Sequence, residues 1–119
     1  MLFRVDPGSA VPLADQIAAS VRGAIADGTV RPGERLPAAR ALGESLGVNV
    51  HTVLRGYQRL REEGLIELRR GRGAVVTGDQ PRARAGLLEG VQGLVDQARA
   101  LGLSDEEVLT LVRTRLAGG

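Results

Sequence analysis

Residues 37–76 read P-A-A-R-A-L-G-E-S-L-G-V-N-V-H-T-V-L-R-G-Y-Q-R-L-R-E-E-G-L-I-E-L-R-R-G-R-G-A-V-V, and this stretch decides the fold. Pro37 is expected to open a short helix, A-A-R-A-L-G-E-S-L, with Leu42 and Leu46 one turn apart and facing inward. Gly47-Val48-Asn49 then forms a tight turn. Asn49 caps the next helix, because a short side-chain acceptor satisfies a free N–H at a helix start. That second helix spans residues 50–63 and stops at Gly64. Residues 65–69 and 74–77 alternate like strands, and R-R-G-R-G between them is a hairpin tip in which two glycines permit positive φ. The order is helix-turn-helix followed by a β-wing, a layout that places one helix in the DNA major groove.

Placed at about 100° per residue, Val53, Tyr57 and Leu60 fall on one narrow arc of the longer helix, and His51, Thr52, Arg55 and Arg59 on the opposite arc. Any surface helix has a polar face. Here the donors crowd the N-terminal half, directly after the turn, where recognition helices meet base edges. Tyr57 is read as a core residue with its hydroxyl near the surface. Asn49 and Thr52 suit capping and phosphate contact equally. Arg69, Arg70 and Arg72 suit a wing lying against phosphate or a minor groove better than a purely structural turn. Arg35 and Arg59 are read as neutralising backbone charge.

Working outward, residues 1–11 read as extended. From Pro12 the pattern P-L-A-D-Q-I-A-A-S-V-R-G-A-I-A-D-G gives a scaffold helix, with Leu13, Ile17, Val21, Ala24 and Ile25 on its apolar stripe. Asp15, Arg22 and Asp27 lie off that stripe, and Gly28 is the stop. Pro32-Gly33 marks a turn and Arg35-Leu36 a candidate short strand. On the other side, Gly78-Asp79-Gln80-Pro81 is a polar break, dividing a winged helix-turn-helix domain (1–78) from a C-terminal helical hairpin (79–119). The first hairpin helix carries Leu87, Leu88, Val91, Leu94, Val95, Ala98 and Leu101, and Gly102 breaks it. Ser104 and Glu107 stand at capping-box separation before a last helix with Val108, Leu109, Leu111, Val112 and Leu116. Two helices cannot bury that much apolar surface alone. Leu87, Leu88, Val91, Leu94, Val95, Val108, Leu111 and Val112 are therefore expected to pack on a second copy of the chain. The alternatives are packing back onto the first helix or binding an unrelated protein.

The fold class that follows is mostly α with a small β-hairpin: a winged helix-turn-helix domain and a two-helix dimerisation segment. With 119 residues the chain is one ordinary domain, or a small one with an appendage. It has no Cys and no Trp, so disulfides, thiol catalysis and thiolate metal sites are excluded. His51 is the one histidine, too few for a metal site or a triad, and no phosphate-cradling loop occurs; an enzyme is not expected, nor any cofactor or metal. No signal peptide or membrane-spanning run is seen, and a cytoplasmic location is expected. Net charge is +2, too small to argue for nucleic acid by itself. Its distribution says more: residues 1–78 hold eleven Arg against eight acids, and residues 79–119 five Arg against six.

The runs P-L-x-x-Q-I, P-G-x-R-L-P-x-x-R-x-L, L-G-V-N-x-x-T-V-x-R-x-Y-x-x-L-x-x-E-G-L-I and R-G-x-G occur in that order over residues 12–77. Together they resemble the GntR family of bacterial transcription regulators. The short C-terminal segment, the Asn49-x-x-Thr52-Val53 turn and Arg55-Gly56-Tyr57 look like its YtrA-type branch, whose members bind DNA as homodimers through such a segment. The resemblance implies DNA contact by Arg40 on the first helix of the motif. It implies contact also by Asn49, His51 and Thr52 at the start of the recognition helix, and by Arg70 and Gly71 in the wing. Many members have Arg where this chain has Val50 and Leu54, so Arg55, already on the exposed arc, stands as the substitute. The candidate DNA contacts are thus Arg35, Arg40, Asn49, His51, Thr52, Arg55, Arg59, Arg70, Gly71 and Arg72. The implied function is a homodimeric, sequence-specific regulator, a repressor on an inverted-repeat operator in double-stranded DNA. A small-molecule effector would bind between the C-terminal helices of two protomers or at the hinge near Pro81. The alternative is a winged-helix module that binds protein without reading DNA sequence.

Overall fold

Ile17, Ala18, Val21, Ala24 and Ile25 are buried along one side of α1 (Leu13–Ala26), as the stripe requires. They are the floor on which the rest of the first unit is built. The computed structural model describes residues 3–77 and 80–118, which form α1, α2 (Ala39–Leu46), α3 (Val50–Glu62), β1 (Ile66–Arg69), β2 (Gly73–Val76), α4 (Pro81–Ala100) and α5 (Asp105–Ala117). The fold is mostly helical with a two-stranded antiparallel wing, a winged helix-turn-helix followed by two helices. Two compact units divide it, Met1–Gly86 and Leu87–Gly119, so the first turn of α4 belongs with the winged helix. Of the expected polar break, Gly78 and Asp79 lie outside the described residues.

In the first unit α3 crosses α1 closely. A Cβ on Gly56 would stand 2.9 Å from the Ala14 carbonyl oxygen and 3.1 Å from the Ile17 side chain, so only glycine lets the two helices approach this far. Val53, Tyr57 and Leu60, buried beside it, complete the contact. The Tyr57 hydroxyl donates to the Pro37 carbonyl at 2.7 Å, tying α3 to the segment that leads into α2. Burial pushes that phenol up to about 12. Asp27, after α1, is held below the usual carboxylate range, first by its hydrogen bonds with the Thr29 hydroxyl and N–H and then by the charge of Arg82.

Several expectations are corrected. Residues 1–11 are not extended throughout: Pro7-Gly8-Ser9 turns, with the Ser9 N–H on the Asp6 carbonyl at 3.1 Å, and the Gln16 amide clips Asp6 and Val11 to α1. Pro37 does not open α2; Ala38 is its N-cap. Ala38 takes an extended ψ of 139°, so the helix begins at Ala39. Arg22, off the apolar stripe as expected, is taken up by a partner the sequence did not indicate. Its guanidinium grips Glu63 on both carboxylate oxygens at 2.9 Å, and the two side chains are 13% and 17% exposed. Glu63 itself caps α3 rather than continuing it. Arg35-Leu36 makes a single bridge, Arg35 to Val75, flanked by hydrogen bonds from Gly33 and Leu36 N–H groups to β2 carbonyls at 2.8 Å.

In the second unit Gly102, at φ +79°, ends the turn after α4. Ser104 and Glu107 form the expected reciprocal capping box, with hydrogen bonds of 3.2 and 3.1 Å. Among its described residues only Ala98 is buried. No helix among the described residues is long and apolar enough to cross a membrane.

Candidate nucleic-acid interface

The geometry of the helix-turn-helix rests on two glycines. Gly47 closes α2 at φ +70°, and a Cβ on Gly43 would meet the Val48 carbonyl oxygen at 2.9 Å. The turn therefore folds directly onto α2, with the Val48 N–H on the Gly43 carbonyl at 2.9 Å. Asn49 then opens α3, its Oδ1 accepting from the His51 N–H at 2.8 Å. This use of Asn49 is the capping alternative. Its side-chain amide still leaves N–H donors for a ligand.

Because Val53, Gly56, Tyr57 and Leu60 are turned inward, α3 presents His51, Leu54, Arg55, Gln58 and Arg59 to solvent, with Thr52 and Val50 half-buried. Arg59 is engaged with Asp15 on α1 at 3.5 Å, an exposed and therefore weak pair. Arg40 is exposed in the first turn of α2, and Arg35 on the segment bridged to the wing. Among the described residues no ion pair engages Arg35, Arg40, Arg55, Arg70 or Arg72, so their guanidinium forks have no protein anion to leave.

The wing pairs Ile66 with Val76 and, at its far end, Arg69 with Gly73. Arg70, Gly71 and Arg72 make the tip, closed by the Arg72 N–H on the Arg69 carbonyl at 3.0 Å. Gly71 and Gly73 take φ +77° and +71°, which side chains resist. Arg70, Gly71 and Arg72 are all exposed, while Arg69 leans on Glu67 at 3.1 Å. The structure thus brings Asn49, His51, Thr52 and Arg55 together at one end of α3 and holds Arg70, Gly71 and Arg72 at the tip of a hairpin that follows it. Two exposed apolar side chains were not among the candidates, Leu54 at 47% and Leu68 at 53%. Leu54 lies on the same α3 surface as Arg55, and an exposed aliphatic there suits a thymine methyl.

The remaining expected surfaces are placed as follows. Leu87, Val91, Leu94, Leu111 and Val112 are exposed, and Leu88, Val95 and Val108 half-buried. Leu101 and Leu116 are more exposed still, at 79% and 77%. Near Pro81 a cavity of about 270 Å³ is lined by Ile25, Val30, Arg31, Pro32 and Arg82. No group of His, Cys, Asp and Glu among the described residues could hold a metal ion.

A capped helix with a donor-rich N-terminal half, set on a helix-turn-helix and followed by an arginine-tipped hairpin, defines a winged-helix DNA-binding protein. Comparison with known proteins narrows this. Residues 13–76 match the bacterial regulatory proteins of the gntR family, more than half of the chain, and the chain belongs to that family. It is 31% identical over 96 residues to the HTH-type transcriptional repressor YtrA of Bacillus subtilis, covering 81% of this chain and 72% of that one. The solved structure of YtrA from Sulfolobus acidocaldarius, a GntR-family transcription factor, superposes with a TM-score of 0.61 at 28% identity, over 97% of each chain. AraR(DBD) in complex with operator ORX1 superposes on 64% of this chain and 93% of its own, with a TM-score of 0.55 and 27% identity. The protein is a DNA-binding transcription regulator and not an enzyme.

Proposed function

We propose that the chain is a cytoplasmic, homodimeric repressor that occupies an inverted-repeat operator. Residues 79–119 are the dimerising segment, and two recognition helices related by a two-fold axis require two inverted half-sites. The observation that carries this reading is the outward face of α3, where His51, Leu54 and Arg55 follow the Asn49 cap and are all exposed. Arg55 and Arg40 read or grip the duplex, and Asn49, His51 and Thr52 meet phosphate or base at the helix start. Arg35 and Arg59 neutralise backbone charge. Arg70, Gly71 and Arg72 reach the adjacent groove. The exposed Leu87, Val91, Leu94, Leu111 and Val112, with Leu88, Val95 and Val108, form the dimer surface; a monomer would leave that aliphatic area in water. Repression follows from occupying a promoter, and the similarity to a repressor supports that sign. A small-molecule effector would act at the cavity near Pro81 or between the C-terminal helices of two protomers.

Selection of bound duplexes from random DNA, with the mass of the bound species measured alongside, tests this. The expected result is one inverted repeat bound by two chains. Recovery of no repeat, or binding by a single chain with undiminished affinity, overturns it.

A further inference from the structure

The root of α4 is fastened to the winged helix by the same arrangement used twice. The Arg82 guanidinium donates through Nε to the carbonyl of Ala26, the last residue of α1, at 3.1 Å. Arg84 donates through Nε to the carbonyl of Glu63, the C-cap of α3. Carbonyls at helix C-termini have no intrahelical donor and carry the negative end of the helix dipole, so a cation is the fitting partner. Each guanidinium lies over a glycine just beyond the carbonyl it binds. A Cβ on Gly28 would stand 3.3 Å from Arg82 Nη1, and one on Gly64 3.1 Å from Arg84 Nε. Both glycines have positive φ, +82° and +78°. Residues two apart on a helix point to different sides. Arg82 and Arg84 therefore straddle α4 and reach two different helices, while Pro81 and Ala85 are buried beneath.

Glu63 joins the recognition helix to both neighbours at once. Its carboxylate takes Arg22 from α1 and its carbonyl takes Arg84 from α4. A helix root held only by its chain connection would pivot. Held at two further points on separate helices, it keeps one orientation with respect to α3. Both arginines are exposed, so these contacts add little to stability. What they supply is direction.

From this we propose that Arg82 and Arg84 are positioning residues that set the half-site spacing the protein accepts. The inference rests on the dimeric operator reading above: α4 runs on into the residues proposed to join two chains, so a brace at its root would bear on the separation of half-sites the dimer tolerates. Half-site separation is a geometric property of such dimers.

The test uses the full chain and the inverted repeat recovered by selection, together with duplexes in which one or two base pairs are added between the half-sites. Arg82→Met with Arg84→Met keeps the aliphatic stems over Gly28 and Gly64 and removes the donors. The wild type should lose about tenfold or more in affinity on the altered spacers, and the double variant only about threefold, because its half-sites can readjust. Melting temperature, dimer mass and the salt dependence of binding should not change. Single variants at each position, expected to give intermediate profiles, keep the question answerable if the double variant folds poorly. A spacer profile like the wild type's overturns the proposal. So does loss of the folded dimer in all three variants, which would make the arginines structural, or a reduced salt dependence, which would make them phosphate contacts. A wild type indifferent to spacing overturns both this proposal and the operator reading; a wild type that discriminates while the variants match it overturns this one alone.

Discussion

At the scale of single residues, exposure separates side chains free to meet a ligand from those that hold the fold. Arg40 and Arg55 are exposed and in no ion pair among the described residues. Replacing either by Ala should leave the melting temperature in place while weakening operator binding by about 1–3 kcal/mol, roughly 5- to 150-fold. A gel-shift titration beside a thermal melt checks this; unchanged affinity for both variants would remove them from the interface. Tyr57 is the opposite case, 3% exposed and bonded to the Pro37 carbonyl. Its folded pKa, about 12, lies above the ordinary 10.0. The unfolded chain therefore loses this proton first as pH rises. The phenol's contribution is whole below about pH 10 and fades through about pH 12, by an amount on the order of 2 kcal/mol. Tyr57→Phe should cost about 1 kcal/mol at neutral pH and flatten this part of the alkaline decline. Denaturant melts between pH 8 and 12 measure both effects.

At the scale of elements, a glycine's surroundings decide the sign of a substitution. Gly56 faces the Ala14 backbone, which cannot swing aside, so Gly56→Ala should destabilise by about 1–2 kcal/mol even after its gain in helix propensity. Gly93 on α4 has nothing within 4 Å of where a Cβ would stand, and Gly93→Ala should stabilise by about 0.5–1 kcal/mol. Urea unfolding of the two variants reads the contrast; equal signs would contradict it. The elements most legible in the sequence are those made by neighbours along the chain. The Asn49 cap, the Ser104–Glu107 box, the inward arc of Val53, Tyr57 and Leu60 and the glycine-tipped wing each depend on a few adjacent residues. The sequence placed Arg22 off the apolar stripe but not its partner, which lies 41 residues away, and Arg82 and Arg84 reach back 56 and 21 residues. No periodicity encodes such pairings.

For the whole molecule, two proposed properties can be measured without knowing the genes controlled. Binding should be steeply salt-dependent, weakening by roughly 10³-fold or more between 50 and 200 mM salt if six or more phosphates are neutralised per dimer. Arg35→Ala, one phosphate contact per protomer, should lower the slope of log affinity against log salt by about 2. Placing a charge on the exposed apolar surface, as Leu94→Glu, should give a monomer by sedimentation whose winged-helix unit still melts cooperatively and whose operator affinity collapses. A Leu94→Glu chain that remained dimeric would move the dimer surface elsewhere.

Fold class, the order of helices and wing, the exposed face of α3 and family membership were all carried by local pattern, because caps, turns and apolar periodicity act over a few residues. Tertiary structure alone decided which arginines are free. Among the described residues Arg40 and Arg55 enter no ion pair, whereas Arg22 is consumed by Glu63 and Arg82 and Arg84 by the ends of two helices. Identical side chains thus divide into unpaired, ion-paired and carbonyl-bound according to what folding places beside them, and that is set by distant chain segments meeting.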